Sequence, residues 1–219
     1  MALTKYNYNS FDLTTAASKG LAFNSSANGF ETSSAGAMTL IHTRANVVDN
    51  SNVAFVQGSD GVDFSTYPVY IFKFMNIHAS INNTNFMVSF RDGGSDYDAT
   101  VHTTMFSSRH NEADSDAAIG YETSQDETNS NGTVKLSVGV GTGSDESTSG
   151  ELLLFNPSST TFAKHFLSVM PVVHHAEYSY NWYKSGYINT TAAIDAVRFT
   201  MNSGAIGDGT IKLYGIADS

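Results

Sequence analysis

Ala192-Ala193-Ile194-Asp195-Ala196-Val197-Arg198-Phe199-Thr200-Met201, then Asn202-Ser203-Gly204-Ala205-Ile206-Gly207-Asp208-Gly209, then Thr210-Ile211-Lys212-Leu213-Tyr214-Gly215-Ile216, is the stretch on which the fold turns. Val197, Phe199 and Met201 alternate with more polar residues, as do Ile211 and Leu213. A repeat of two places successive side chains on opposite faces, so each segment reads as a strand with one face to bury. Gly204, Gly207 and Gly209 allow the joining loop to take positive φ at little cost. The stretch therefore predicts two strands and a loop that close a β-sandwich.

The same period recurs upstream. Pro68–Ile77 carries Phe72 and Phe74 and is apolar on nearly both sides, which suits a central strand. Phe86, Val88 and Phe90 alternate cleanly, and so do Val134, Leu136, Val138 and Val140. Leu152-Leu153-Leu154-Phe155 is a strand-sized run, with Leu153 and Phe155 assigned to the core and Pro157 as its stop. Pro171 divides Phe166–Met170 from Val172–His175, and Lys184-Ser185-Gly186 reads as a turn after the aromatic run Tyr178–Tyr183. Ser107 to Gly132 reads as one long polar loop punctuated by Ile119 and Tyr121.

About ten short strands with regular turn signals predict an all-β protein, an antiparallel β-sandwich or jelly roll. Residues 35–219 read as one domain, and residues 1–34 as an extended arm or an irregular start. The predicted core is Phe72, Phe74, Val88, Phe90, Leu136, Val138, Leu153, Phe155, Val197, Phe199, Ile211 and Leu213.

Composition agrees with strands. Hydrophobic residues make up 41% of the 219 and aromatic residues 12%, whereas charged residues reach only 15%. The polar surface must then come from Asn, Ser, Thr and Gly, which favour turns over helices. A formal net charge of −10 with scattered Lys and Arg opposes binding to nucleic acid or to an anionic membrane. The chain has no cysteine, so disulfides and thiolate chemistry are excluded. The sequence shows neither a signal-peptide pattern nor an apolar run of the roughly 20 residues that span a bilayer, so synthesis in a cytoplasm without export by the usual signal is expected.

No motif points to catalysis, a cofactor or a bound metal. His174-His175 is the one adjacent histidine pair, and neighbours in a strand point to opposite faces. Asp92, Asp96 and Asp98 offer hard oxygen ligands for calcium but lack the spacing of a known calcium loop. Nearly all other acids fall in expected loops, which opposes paired-carboxylate hydrolysis of a polysaccharide. Tyr178, Tyr180 and Trp182 share one strand face. That face is either core or an exposed platform for a partner or a glycan. Phe11, Leu13 and Phe23, in the N-terminal arm, are further candidate partner contacts.

Three blocks carry a resemblance. They are Tyr70–Ile77 continuing through Phe86–Gly94; Gly150–Pro157 with Lys164-His165-Phe166; and Ile194–Phe199 with Ser203–Ile206 and Gly209–Ile216. Together they resemble small β-sandwich virion proteins of tailed bacteriophages of marine and cyanobacterial type. The resemblance implies a non-enzymatic structural protein located in the virion. The role it favours is a capsid decoration or cement protein, a homo-oligomer with the trimer preferred, that binds the major capsid protein or other virion proteins. The alternative it implies is a tail or fibre receptor-binding module recognising host surface glycans. It transfers no catalytic residue.

Overall fold

The computed structural model describes residues 19–23, 26, 30–34, 37–45 and 47–218. Among these residues there are fourteen strands and one 3₁₀ turn, Thr123–Gln125. The strands are β1 (Lys19–Phe23), β2 (Phe30–Ser34), β3 (Met38–Arg44), β4 (Val53–Val56), β5 (Val69–Ala79), β6 (Thr84–Arg91), β7 (Val101–Asn111), β8 (Ala117–Tyr121), β9 (Val134–Val140), β10 (Thr148–Phe155), β11 (Lys164–His174), β12 (Tyr178–Ile188), β13 (Ala196–Met201) and β14 (Ile206–Ile216). Asparagine takes several of the left-handed corners, at Asn76, Asn83, Asn129 and Asn156. Its short side chain tolerates positive φ better than most.

The protein is all-β and antiparallel. Strands β3-β14-β5-β10-β11-β12-β7-β8 form one layer and β9-β6-β13-β4 the other. The layers share backbone pairing where His174, at the end of β11, registers with Val140, at the end of β9. Elsewhere they meet through side chains. Phe199 of the smaller layer lies 5.1 Å from Phe72 and 5.0 Å from Phe74 of the larger one, centroid to centroid. Phe55 and Phe86 flank it at 6.2 and 5.8 Å. Phe90 and Phe166 extend the contact at 5.4 Å. All six rings of this set other than Phe199 are, like it, buried.

The terminal strands do not pair with each other. β13 lies between β6 and β4, and β14 lies between β3 and β5. The glycine-containing connection therefore crosses from one layer to the other, and the two apolar faces meet across the core. β14 begins inside the expected loop, at Ile206, and reaches regular register through bulges around Asp208. Gly209, at φ 136, lets the strand pass against Asn76 and Ile77 where a Cβ has no room.

Phe72, Phe74, Val88, Phe90, Leu136, Val197, Phe199, Ile211 and Leu213 are buried. Leu153 and Phe155 are a correction: Leu152 and Leu154 face the core, and Leu153 and Phe155 face outward, half-buried. The run is apolar on both sides, so alternation cannot set its phase. The bulge at Ser149–Gly150, with Gly150 at φ 142, sets it instead. Val138 is also half-buried, packed at the margin of the core, while Ser137 is fully enclosed. Gly139 at φ 74 and the register shifts against β6 displace this strand from simple alternation.

Pro171 does not break its strand. β11 runs through it opposite the β10 bulge, where the ladder is already interrupted, and the Pro171 carbonyl accepts a hydrogen bond from Thr148 Oγ1 at 2.9 Å. Lys184-Ser185-Gly186 is strand interior rather than a turn. The polar stretch after Ser107 is also largely ordered, as the end of β7, then β8, then the 3₁₀ turn. Polar contacts hold it: Ser107 Oγ donates to Glu122 at 2.6 Å, and Arg109 Nε donates to Asp116 at 3.0 Å. Part of the N-terminal arm is a hairpin of β1 and β2, closed by stacking of Phe23 on Phe30 at 4.9 Å.

Replacing Phe199 by alanine is expected to lower unfolding free energy by about 3–5 kcal/mol, since it removes the ring shared by both layers. Urea denaturation monitored by Trp182 emission measures this. A loss below about 1 kcal/mol would mean the layers are held elsewhere.

Candidate functional site

The candidate contact residues separate into groups. Trp182 is 4% exposed and points into the sandwich, with Tyr180 stacked on it at 4.8 Å and 5°. Trp182 is therefore a core residue, Tyr180 is half-buried against the core, and Tyr178 is half-buried at the start of β12. Phe23 is exposed on the hairpin, beside Phe30. Phe11 and Leu13 lie outside the described residues.

Among the described residues no three His, Asp or Glu side chains converge as a metal site. In the Asp92–Asp98 loop the aromatic residue does the packing, with the Arg198 guanidinium 4.2 Å from the centre of the Tyr97 ring. Asp195 accepts a hydrogen bond from Arg91 Nε at 2.7 Å and fastens β6 to the segment before β13. His174 and His175 are not directed apart. Their rings lie 4.3 Å from each other because the strand ends at His174 and the chain turns, with Glu177 at φ 62.

His174 sits at the seam between the layers, against Gly139 and Tyr180. Burial, then the neighbouring His175, lowers its pKa to about 4, against a weaker opposing pull from Glu146. Between that value and its ordinary 6.5 the unfolded chain binds the extra proton. Stability is therefore expected to fall by about 2 kcal/mol as pH drops from about 6.5 to 4, after allowing for partial exposure. His174→Phe should flatten that part of the stability–pH curve; an unchanged slope would contradict the assignment.

Two lysines were not visible as special in the sequence, because charged residues in strands usually face water. Lys164 and Lys184 are buried and donate to backbone carbonyls, Lys164 Nζ to Thr190 at 3.0 Å and Lys184 Nζ to Gln125 at 2.6 Å. Lys184 thereby pins the 3₁₀ turn over β12. Burial lowers its pKa to about 8, although Glu127 and Asp126 oppose the shift. Above that value the folded protein releases a proton that the unfolded chain keeps, so stability rises with pH. A gain of about 2 kcal/mol is expected between about pH 7 and 9.5. Chemical denaturation across that range should show the gain in the native chain and not in Lys184→Met. An equal gain in both would place its origin elsewhere.

The surface feature that sets the molecule apart is the outer face of the larger layer. Strand register aligns Leu40, Tyr214, Ile71, Leu153 and Leu167 in one row across β3, β14, β5, β10 and β11. Met38, Ile216, Val69 and Phe155 form a second row beside it. Leu40 is 51% exposed, Met38 48% and Leu167 42%. Ile71, though on the outside, is 8% exposed because its neighbours close over it. The flanking row carries Lys212 and the paired Lys73 and Glu151, so this region has no excess negative charge. Antiparallel sheets usually show water a polar face, and this one does not.

Comparison with known proteins gives no match: no family model, no curated protein and no solved structure is similar to the chain.

Proposed function

We propose that the protein is a non-enzymatic structural protein of a phage virion, a capsid decoration protein that binds and stabilises the assembled shell as a homo-oligomer, preferentially a trimer. The observation that carries the reading is the apolar outer face of the larger layer. The sequence resemblance supplies the virion setting. Five strands at about 4.8 Å spacing and six residues at about 3.4 Å, the two apolar rows with the flanking Lys212–Lys73–Glu151 row, give roughly 500 Å² of flat area, a substantial part of the ~800 Å² per partner in a stable interface.

A second copy of this chain is the partner that suits this face. A chain of net charge −10 repels its copies through most of its surface. It repels least through a face where one ion pair and one further lysine are the charges. The oligomer then gains stabilising power by mass action, since it binds the assembled shell and not the free shell subunits. The receptor-binding alternative draws on the polar Ser107–Gly132 stretch and on Tyr178, Tyr180 and Trp182, and the burial of Trp182 weighs against the aromatic part of that surface.

Quantitative mass spectrometry of purified particles tests the proposal. Copy numbers on the order of hundreds per particle, as for shell components repeated by symmetry, are expected. Absence from particles, or copies only in the tens with the tail fraction, would overturn it.

A further inference from the structure

The flank of the larger layer formed by β11, β12 and β7 differs in chemistry from the apolar rows. Register places Leu167, Ser185 and Thr104 in one line across these strands. The line two residues to one side holds His165, Tyr187 and His102; the line to the other holds Val169, Tyr183 and Phe106. Small hydroxyl side chains thus form a floor between aromatic walls about 14 Å apart, four residues along a strand. Tyr183 and Phe106 stack at 4.7 Å and 9°, and Tyr187 lies 5.5 Å from His102. Tyr121 closes the far end: its hydroxyl accepts from Thr104 Oγ1 at 3.3 Å and donates to Asp126. The depression over Ser185 and Thr104, between Tyr121 and the His165–Tyr187–His102 wall, has a volume of about 500 Å³, within the ~300–1,000 Å³ range of small-ligand sites; the Tyr183–Phe106 stack lies beyond it.

We infer that this groove binds a neutral sugar unit of a polysaccharide, a function separate from shell binding. Aromatic faces accept the C–H side of a sugar ring, Ser185 offers a hydroxyl that both donates and accepts, and Thr104 and Tyr121, whose protons go to Tyr121 and Asp126, offer acceptor lone pairs. No Lys or Arg lines the groove, and the Asp126 carboxylate lies behind Tyr121. Phosphate, sulfate and uronate groups therefore find no permanent positive charge, with the His102 and His165 imidazoles as the basic groups of the wall. An extended peptide is equally unsuited. The groove runs across strands paired on both sides, so no free backbone edge is available for strand addition. The ligand must bring its own closely spaced polar groups on an apolar frame, as a neutral hexose does.

Affinity gel electrophoresis of the full chain tests this, with soluble glucan, galactan and mannan as neutral probes and alginate as the anionic one. Retardation by at least one neutral polysaccharide is expected. Tyr187→Ala should weaken it about tenfold by removing a wall, and Ser185→Trp by at least as much by filling the floor. Far-ultraviolet circular dichroism and the thermal transition report that both variants remain folded, since Ser185→Trp adds a second emitter to the buried Trp182. No retardation by any neutral probe, retardation by alginate only, or retardation that survives both substitutions would overturn the inference. The particle copy number is independent of these outcomes.

Discussion

Contact of one ring, Phe199, with four others is the interaction on which the structure depends. Backbone hydrogen bonds make each layer, but they join the layers at the His174–Val140 seam. The face-to-face relation of the layers rests on Phe55, Phe72, Phe74, Phe86 and Phe199. Edge-to-face aromatic pairs of this kind contribute both buried area and a preferred geometry. Once Phe72 and Phe74 point inward, the period of two fixes Ile71 and Lys73 outward. The outer surface of the larger layer is thus a consequence of the core.

That larger layer has two outer regions. From β3 to β11 it presents aligned aliphatic and aromatic rows with little charge. From β11 to β8 it presents hydroxyls between aromatic walls. Beneath the second region the interior is polar as well: Lys184 and Ser107 reach the Glu122–Gln125 segment. The segment is held by hydrogen bonds to buried groups rather than by an apolar underside, and β8 is exposed along its whole length. The buried Lys184 and the seam residue His174 each make the folded state less protonated than the unfolded one, so both favour stability at higher pH.

The sequence makes some of this plain. Strands with one apolar face, such as Phe86-Val88-Phe90 and Val197-Phe199-Met201, show their phase by alternation. Leu152–Phe155 does not, because both of its faces are apolar and the deciding bulge lies upstream at Gly150. The pairing of β13 with β6 and β4 is nonlocal, and adjacency in sequence favours β14 instead. β8 has no apolar face to reveal it. Ile71, Leu153, Leu167 and Tyr214 look like off-phase residues in four separate strands, and register alone brings them into one row. The groove has the same origin, since Ser185, Thr104 and Tyr187 carry no motif until β12 lies between β11 and β7.

We propose that the apolar rows of the larger layer join copies of the chain. Sedimentation velocity of the native chain and of a Leu153→Asp, Leu167→Asp double variant tests it most directly. Both residues lie on the outer face, so the variant should keep the Trp182 emission of the folded protein. Concentration-dependent association of the native chain, to a trimer, is expected, with a monomer for the variant at the same concentrations. A native chain that stays monomeric throughout, or a folded variant that associates equally well, would contradict it.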